Sequence, residues 1–137
     1  MSNDAKKPGA PERRLYPKGS TIFKEGEAAD CAYILDSGAV QIFKMVGGRR
    51  IQLGVIAQRG IFGELGVLDD GPRMAAAYAA EDSVCVIITR ESIAQMLDEA
   101  PGGLRVLVRS LVQTIRTAGD DLAEAKFLLH EQSKEAI

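Results

Sequence analysis

The stretch FGELGVLDDGPRMAA, Phe62 to Ala76, gathers the residues of this chain whose types and spacing could do chemistry. It sets Gly63, Gly66, Gly71 and Pro72 around Glu64 and Arg73. Leu65, Val67 and Leu68 between them predict a short turn of helix tucked against a core. The glycines imply backbone that turns sharply or comes close to something. Free backbone N–H groups beside Gly63 and Gly66 would suit an anion. Arg73 would add a forked, permanently charged donor pair to the same anion. Glu64 is a poor partner for a phosphate but a good acceptor for a sugar hydroxyl. A phosphate and a hydroxyl held on one short loop describe a ribose phosphate. On spacing alone a second reading stays open, in which Glu64 and Arg73 pair with each other across the turn.

The elements that must position this loop are short strands. From Leu15 to about Thr89, turn glycines recur at Gly26, Gly38, Gly48, Gly60 and Gly71. STIFKEGEAAD predicts a strand and a turn, CAYILDSGAVQIFKMVGGRRIQLGVI predicts three strands joined at DSG and GG, and SVCVIIT predicts an apolar strand. Turn spacing of this kind points to an antiparallel sandwich or jelly roll rather than to alternating βα units. RESIAQMLDEA reads as a short amphipathic helix, and Pro101-Gly102-Gly103 separates it from a long one.

The long helix carries an apolar seam at Leu104, Val108, Leu111, Ile115, Ala118, Leu122, Ala125 and Leu129, in steps of four and three. That heptad predicts a self-paired, parallel homodimer, with Asp121 and Lys126 placed to pair between copies. A helix lying on its own barrel would bury a similar stripe, and Leu107, Val112 and Leu128 widen the face in that direction. We therefore expect pairing through the seam, with the barrel taking the flanks.

Beyond this point a resemblance adds to the residues. FGELGVLDDGPRMAAAYA resembles the phosphate-binding cassette of the cyclic nucleotide-binding domain family, which includes catabolite-activator-type regulators, protein kinase A regulatory subunits and nucleotide-gated channels. The family pattern is F-G-E, a small residue, a short apolar helix, then P-R-x-A. Upstream, YPKGSTIFKEGEAADCAYILDSGAVQI is similar to the family's strands through Gly19, Ile22, Glu25, Gly26, Tyr33, Ile34, Gly38 and Val40. Downstream, ITRESIAQMLDEAPGGLRVLVRSL is similar to its closing strand and helices. The likeness spans roughly residues 15 to 125.

The resemblance implies a mostly β fold with a C-terminal α part: an antiparallel jelly-roll β-barrel (double-stranded β-helix), a short helix and a long C-terminal helix. Residues 1–14 are expected to be a disordered tail, 15–100 the binding domain with its cassette, and 101–137 a dimerisation and lid helix. It implies that Arg73 binds the exocyclic phosphate of cAMP or cGMP and that Glu64 accepts from the ribose 2′-OH. Phe62, Gly63, Leu65, Gly66, Met74 and Ala75 would line the pocket. Met74 stands where the family commonly places threonine for cGMP, which favours cAMP. On the long helix only Thr117 offers a hydroxyl to the base. No cofactor is expected beside the cyclic nucleotide.

Composition bounds the alternatives. The 137 residues are 46% hydrophobic and 26% charged with a net charge of −2, so no basic field favours nucleic acid. The one histidine, His130, rules against a histidine-rich metal enzyme of jelly-roll type, and two cysteines are too few for an iron–sulfur sensor. Cys31 and Cys85 lie in apolar surroundings and are expected to be buried thiols of a cytoplasmic protein. No secretory leader, membrane span or DNA-binding module is expected, and the downstream protein partner is unnamed. What survives is a cAMP or cGMP sensor. The alternative is a degenerate copy of the fold that acts as a dimeric protein-interaction module.

Overall fold

The structure, a computed structural model, describes residues 11–135. The tail expected over residues 1–14 lies largely outside them. Its last residues are part of a strand: β1 (Glu12–Tyr16) pairs antiparallel with β8 (Ser83–Thr89) from Glu12↔Ile87 to Tyr16↔Ser83. Its charged residues suit an exposed edge, since charge on an edge strand discourages further pairing.

The remaining elements are β2 (Thr21–Phe23), β3 (Cys31–Ser37), β4 (Val40–Val46), β5 (Arg49–Ile56), β6 (Ile61–Phe62), α1 (Glu64–Leu68), β7 (Ala76–Ala79), α2 (Arg90–Glu99) and α3 (Gly102–Glu135). The strands form two four-stranded sheets, ordered β1-β8-β3-β6 and β2-β7-β4-β5. This is a jelly-roll-like sandwich with a helical end, and the sheets do not close into one continuous barrel. The β4–β5 hairpin turns at Gly47 and Gly48, whose φ of 56° and 76° suit a glycine pair between twisted strands.

One core joins the sheets. Phe23, Val40 and Ala77 from one meet Tyr33, Leu35, Phe62, Cys85 and Ile87 from the other. Each large apolar side chain taken from water here stabilises the fold by roughly 1.5–3 kcal/mol. Cys31 and Cys85 are buried free thiols, and burial pushes the Cys85 thiol up to about 11. A second cluster of Ala29, Ala32, Val67 and Ile93 fastens α1 and α2 to the back of β3. Thr89 caps α2 by accepting from the Ser92 N–H at 3.1 Å.

α3 has two apolar faces. Val112 and Ala123 are buried, and Phe127 lies over the β4–β5 turn, where a side chain on Gly47 would meet its ring at 2.6 Å. That face lies on the α3 side of the β4–β5 sheet. The heptad seam is only partly turned from the sheets: Leu104, Leu111, Ile115, Leu122 and Leu129 remain exposed and Val108 is half-buried, while Ile115, Ala118 and Leu122 line a groove with Leu53, Val55 and Ile56 of β5. Ala118 and Ala125 are exposed with the seam. Lys126, expected to pair with Asp121 of a second copy, donates within its own chain to the Gln52 carbonyl at 2.8 Å. Gly102 and Gly103 were expected to separate the helices. They begin α3 itself, and the break falls at Ala100 and Pro101, where proline cannot continue α2. No helix of the described residues is long and apolar enough to cross a membrane.

Candidate ligand site

Arg73 is the centre of the site, and its backbone is fixed first. Its N–H donates to the Glu27 carbonyl at 2.8 Å, and its carbonyl accepts from the Gly26 N–H at 2.9 Å. The side chain, 3% exposed, then runs inward over the aromatic floor. Its guanidinium carbon stands 4.2 Å above the Phe23 ring and 5.6 Å from that of Tyr33. Phe23, Tyr33 and Phe62 stack on one another at 5.1–6.2 Å, so this floor is rigid.

Arg73 Nη1 donates to the Gly63 carbonyl at 2.6 Å. The rest of the guanidinium is poorly served. Nη2 stands 4.0 Å from Cys31 Sγ and 3.8 Å from the carboxylate of Asp30, a side chain 90% exposed, and Nε has no partner. Glu64 makes no ion pair with it, which removes the reading in which the two neutralise each other across the turn. A buried cation with an unpaired donor is costly unless an anion completes it.

The turn into α1 depends on two glycines. Gly63 precedes the helix at φ 77°, a left-handed conformation, and a side chain there would meet Arg73 Nη1 at 2.8 Å and Phe23 at 3.0 Å. At Gly66 a side chain would meet Ala29 at 2.5 Å and the Gly71 carbonyl at 2.8 Å. No side chain caps the first turn of α1. Glu64 is half-buried there, and burial pushes its carboxyl above the usual carboxylate range against the opposing pull of a backbone hydrogen bond.

The structure brings Phe62, Gly63, Glu64, Leu65, Gly66, Arg73, Met74 and Ala75 around one cavity of about 160 Å³. Phe23, Ile42, Ile56 and Ile61 complete its wall. These four went unassigned in the sequence, although the strand alternation that points Val40 inward also points Ile42 inward. Thr117 lines a neighbouring cavity with Lys44, Arg116 and Asp120, and Arg73 and Met74 form the partition between the two. The site therefore offers a charged end at Arg73, a carboxylate at Glu64 and an apolar remainder.

The contacts between loop and long helix were also missed. Arg116 of α3 grips Asp69 with two hydrogen bonds, Nε to Oδ2 at 2.6 Å and Nη2 to Oδ1 at 2.9 Å, and Nη2 also donates to the Pro72 carbonyl at 2.8 Å. Lys44 pairs with Glu25 at 3.2 Å and Asp120 at 3.1 Å, and donates to the Met74 carbonyl. Position offered a signal: Val112, Arg116, Gly119, Ala123 and Phe127 follow one another in steps of four and three, the stripe of a helix lying on a sheet.

Comparison with known proteins agrees with this architecture. Residues 13–100 match the model of the family described as Cyclic nucleotide-binding domain. The chain is 33% identical over 112 residues to the cyclic AMP receptor protein of Thermus thermophilus, a match covering 81% of this chain and 52% of that protein. It is 39% identical over 98 residues to the cGMP-dependent protein kinase of Toxoplasma gondii, covering 71% of this chain and 9% of the kinase. The cAMP-bound form of the EAL enzyme Bd1971 superposes with a TM-score of 0.78 at 30% identity, covering 91% of this chain and 33% of that one. The chain spans about half the length of the bacterial curated relative it matches. With the cassette assembled around Arg73 and the family match running through it, this chain belongs to the cyclic nucleotide-binding domain family.

Proposed function

We propose that this chain is a sensor module that binds a cyclic purine nucleotide, cAMP in preference to cGMP, and passes the event to α3. The observation that carries the reading is Arg73: buried, stacked on Phe23, with an unpaired Nε and only the exposed Asp30 carboxylate at 3.8 Å, beside Glu64 in one cavity. In this reading the phosphate completes Arg73 and a ribose hydroxyl donates to Glu64. The apolar residues Ile42, Ile56, Ile61 and Met74 give the base a surface without a hydroxyl to read guanine. Relatives named for each nucleotide support the class of ligand. The exposed seam from Leu104 to Leu129 supports a homodimer, because a second α3 would cover apolar surface that the chain's own sheets leave open. Free thiols at Cys31 and Cys85 suit a reducing cytoplasm. The match of residues 13–100 to a family described as a cyclic nucleotide-binding domain supports a binding role.

Calorimetric titration with cAMP, cGMP and 5′-AMP tests this. The expected result is saturable binding of cAMP, weaker binding of cGMP and little binding of 5′-AMP, whose dianionic phosphate is not tied back to the ribose. A chain that binds neither cyclic nucleotide would instead be the interaction module.

A further inference from the structure

The turn preceding Arg73 is costly to hold. Asp70 adopts φ 57°, a left-handed conformation that non-glycine residues rarely take, and Gly71 and Pro72 follow it. Its own carbonyls and N–H groups do little to fix it. Asp69 N–H reaches back to the Leu65 carbonyl at 3.0 Å, and Gly71 N–H donates to Asp69 Oδ1 at 3.0 Å. The two ends of the turn are joined by a side chain from 44–47 residues away: Arg116, which holds the Asp69 carboxylate at one end and the Pro72 carbonyl at the other. The pair is sheltered, with Arg116 and Asp69 side chains 16% and 20% exposed. The contact from Arg90 to Asp70 lies on an open surface, where an ion pair is worth little.

We infer that Arg116 is a positioning residue for the ligand-binding arginine: one guanidinium on α3 clasps residues 69 and 72 and so sets the register at which Arg73 enters the cavity. Arg116 does not line the cavity that holds Glu64, so it acts through the turn. Arg73 is attached to Pro72 directly, and its own N–H and carbonyl are held by Glu27 and Gly26, a pair of bonds about which it can pivot. Loosening the clasp therefore tilts Arg73 rather than merely freeing the loop tip. The same clasp makes α3 sensitive to the turn, so any ligand that tightens residues 69–75 also tightens the helix at Arg116. This inference rests on the cyclic-nucleotide reading for its affinity test, and a ligand-free measurement keeps the two separable.

The affinity arm titrates cAMP into wild type, Arg116→Ala, Arg116→Lys, Asp69→Asn and the exchange Asp69→Arg with Arg116→Asp. Arg116→Ala is expected to weaken binding about 10-fold, the scale of a lost charge-assisted hydrogen bond. Arg116→Lys recovers little, since one ammonium cannot span Asp69 and Pro72 as the fork does. The exchange regains part of the loss. In an Arg73→Lys background the same Arg116→Ala change costs less, because there is no fork left to aim, whereas a purely structural residue would cost equally in both. Binding by Arg116→Ala within twofold of wild type, or an equal cost in both backgrounds, overturns the inference. The second arm follows amide hydrogen exchange without ligand. Arg116→Ala should speed exchange at residues 69–75 while β3 and β8 stay protected. Unchanged exchange there overturns the clasp even if no nucleotide binds.

Discussion

Met74 lies against Gly119 so closely that a methyl group built on Gly119 would stand 2.3 Å from Met74 Cε. Met74, the residue after Arg73, thus occupies the gap that Gly119 leaves in the buried stripe of α3. On helix propensity alone, Gly119→Ala should stabilise α3 by about 1 kcal/mol. The clash works against it, although a methionine end is flexible and can move aside. We expect urea unfolding to show less than the full propensity gain, and the Met74 methyl resonance to shift. A gain of the full amount with an unmoved Met74 signal would mean that the contact carries no constraint.

Arg73 should set binding and stability against each other. Removing one side of a buried charge pair costs roughly 2–5 kcal/mol, so Arg73→Ala should weaken cAMP binding at least 30-fold, and Arg73→Lys should recover little. Without ligand the guanidinium is a buried charge whose one carboxylate partner, Asp30 at 3.8 Å, is solvent-exposed, and its Nε is unpaired. Arg73→Met keeps the packing on Phe23 and removes the charge, so it should raise ligand-free stability by on the order of 1 kcal/mol. Glu64→Gln should cost cAMP about 1.5–3 kcal/mol, the range for a hydrogen bond to a charged acceptor.

The carboxyls of the loop predict opposite responses to pH. The Arg116 guanidinium, first among the causes, holds the Asp69 carboxyl below its ordinary value of 3.8, with burial opposing and the Gly71 N–H assisting. Unfolded chains then take up the Asp69 proton before folded ones. Its stabilising effect is full above 3.8 and is lost as pH falls through the lowered folded value. The advantage of wild type over Asp69→Asn, measured by urea unfolding, should be on the order of 1 kcal/mol near neutrality and shrink on acidification. Glu64 is raised, chiefly by burial, from 4.5, so its protonated form favours folding and stability falls as pH rises through the folded value. Glu64→Gln should flatten that decline in the weakly acidic range.

The two faces of α3 should respond differently to lysine. Leu111 and Ile115 are 54% and 49% exposed, so Leu111→Lys with Ile115→Lys should leave the fold intact and give a monomer in light scattering. Val112 is 2% exposed, and Val112→Lys should destabilise the chain by several kcal/mol through a buried, unpaired charge. A wild type that is monomeric at high concentration would remove the homodimer.

How far the sequence reveals this molecule varies with how local the cause is. β3, β4, β5 and β8 are legible because alternation and glycine turns act over a few residues. β7 is not: AAYA has weak strand propensity and becomes a strand because β2 and β4 flank it. β1 hides behind its charges. On α3 a seam of period 3.5 and a stripe of period 3.6 overlap, so the pattern shows that two faces exist without saying which meets the sheets. Glu64 and Arg73 stand out through their glycines, while Asp69 and Arg116, 47 positions apart, show no local sign of meeting.

The place of β8 between β1 and β3 has a consequence for the order of events during synthesis. β1 emerges first and finds its one sheet neighbour only when Ser83–Thr89 has left the ribosome, and β3, which can pair earlier with β6, keeps its other edge open until then. Until then both keep open edges and apolar residues that other strands can recruit. Pairings as distant as Glu12 with Ile87 also make folding slow for a domain of this size. The charges of β1 lie on the strand that waits longest, where they keep a nascent chain from pairing with its neighbours.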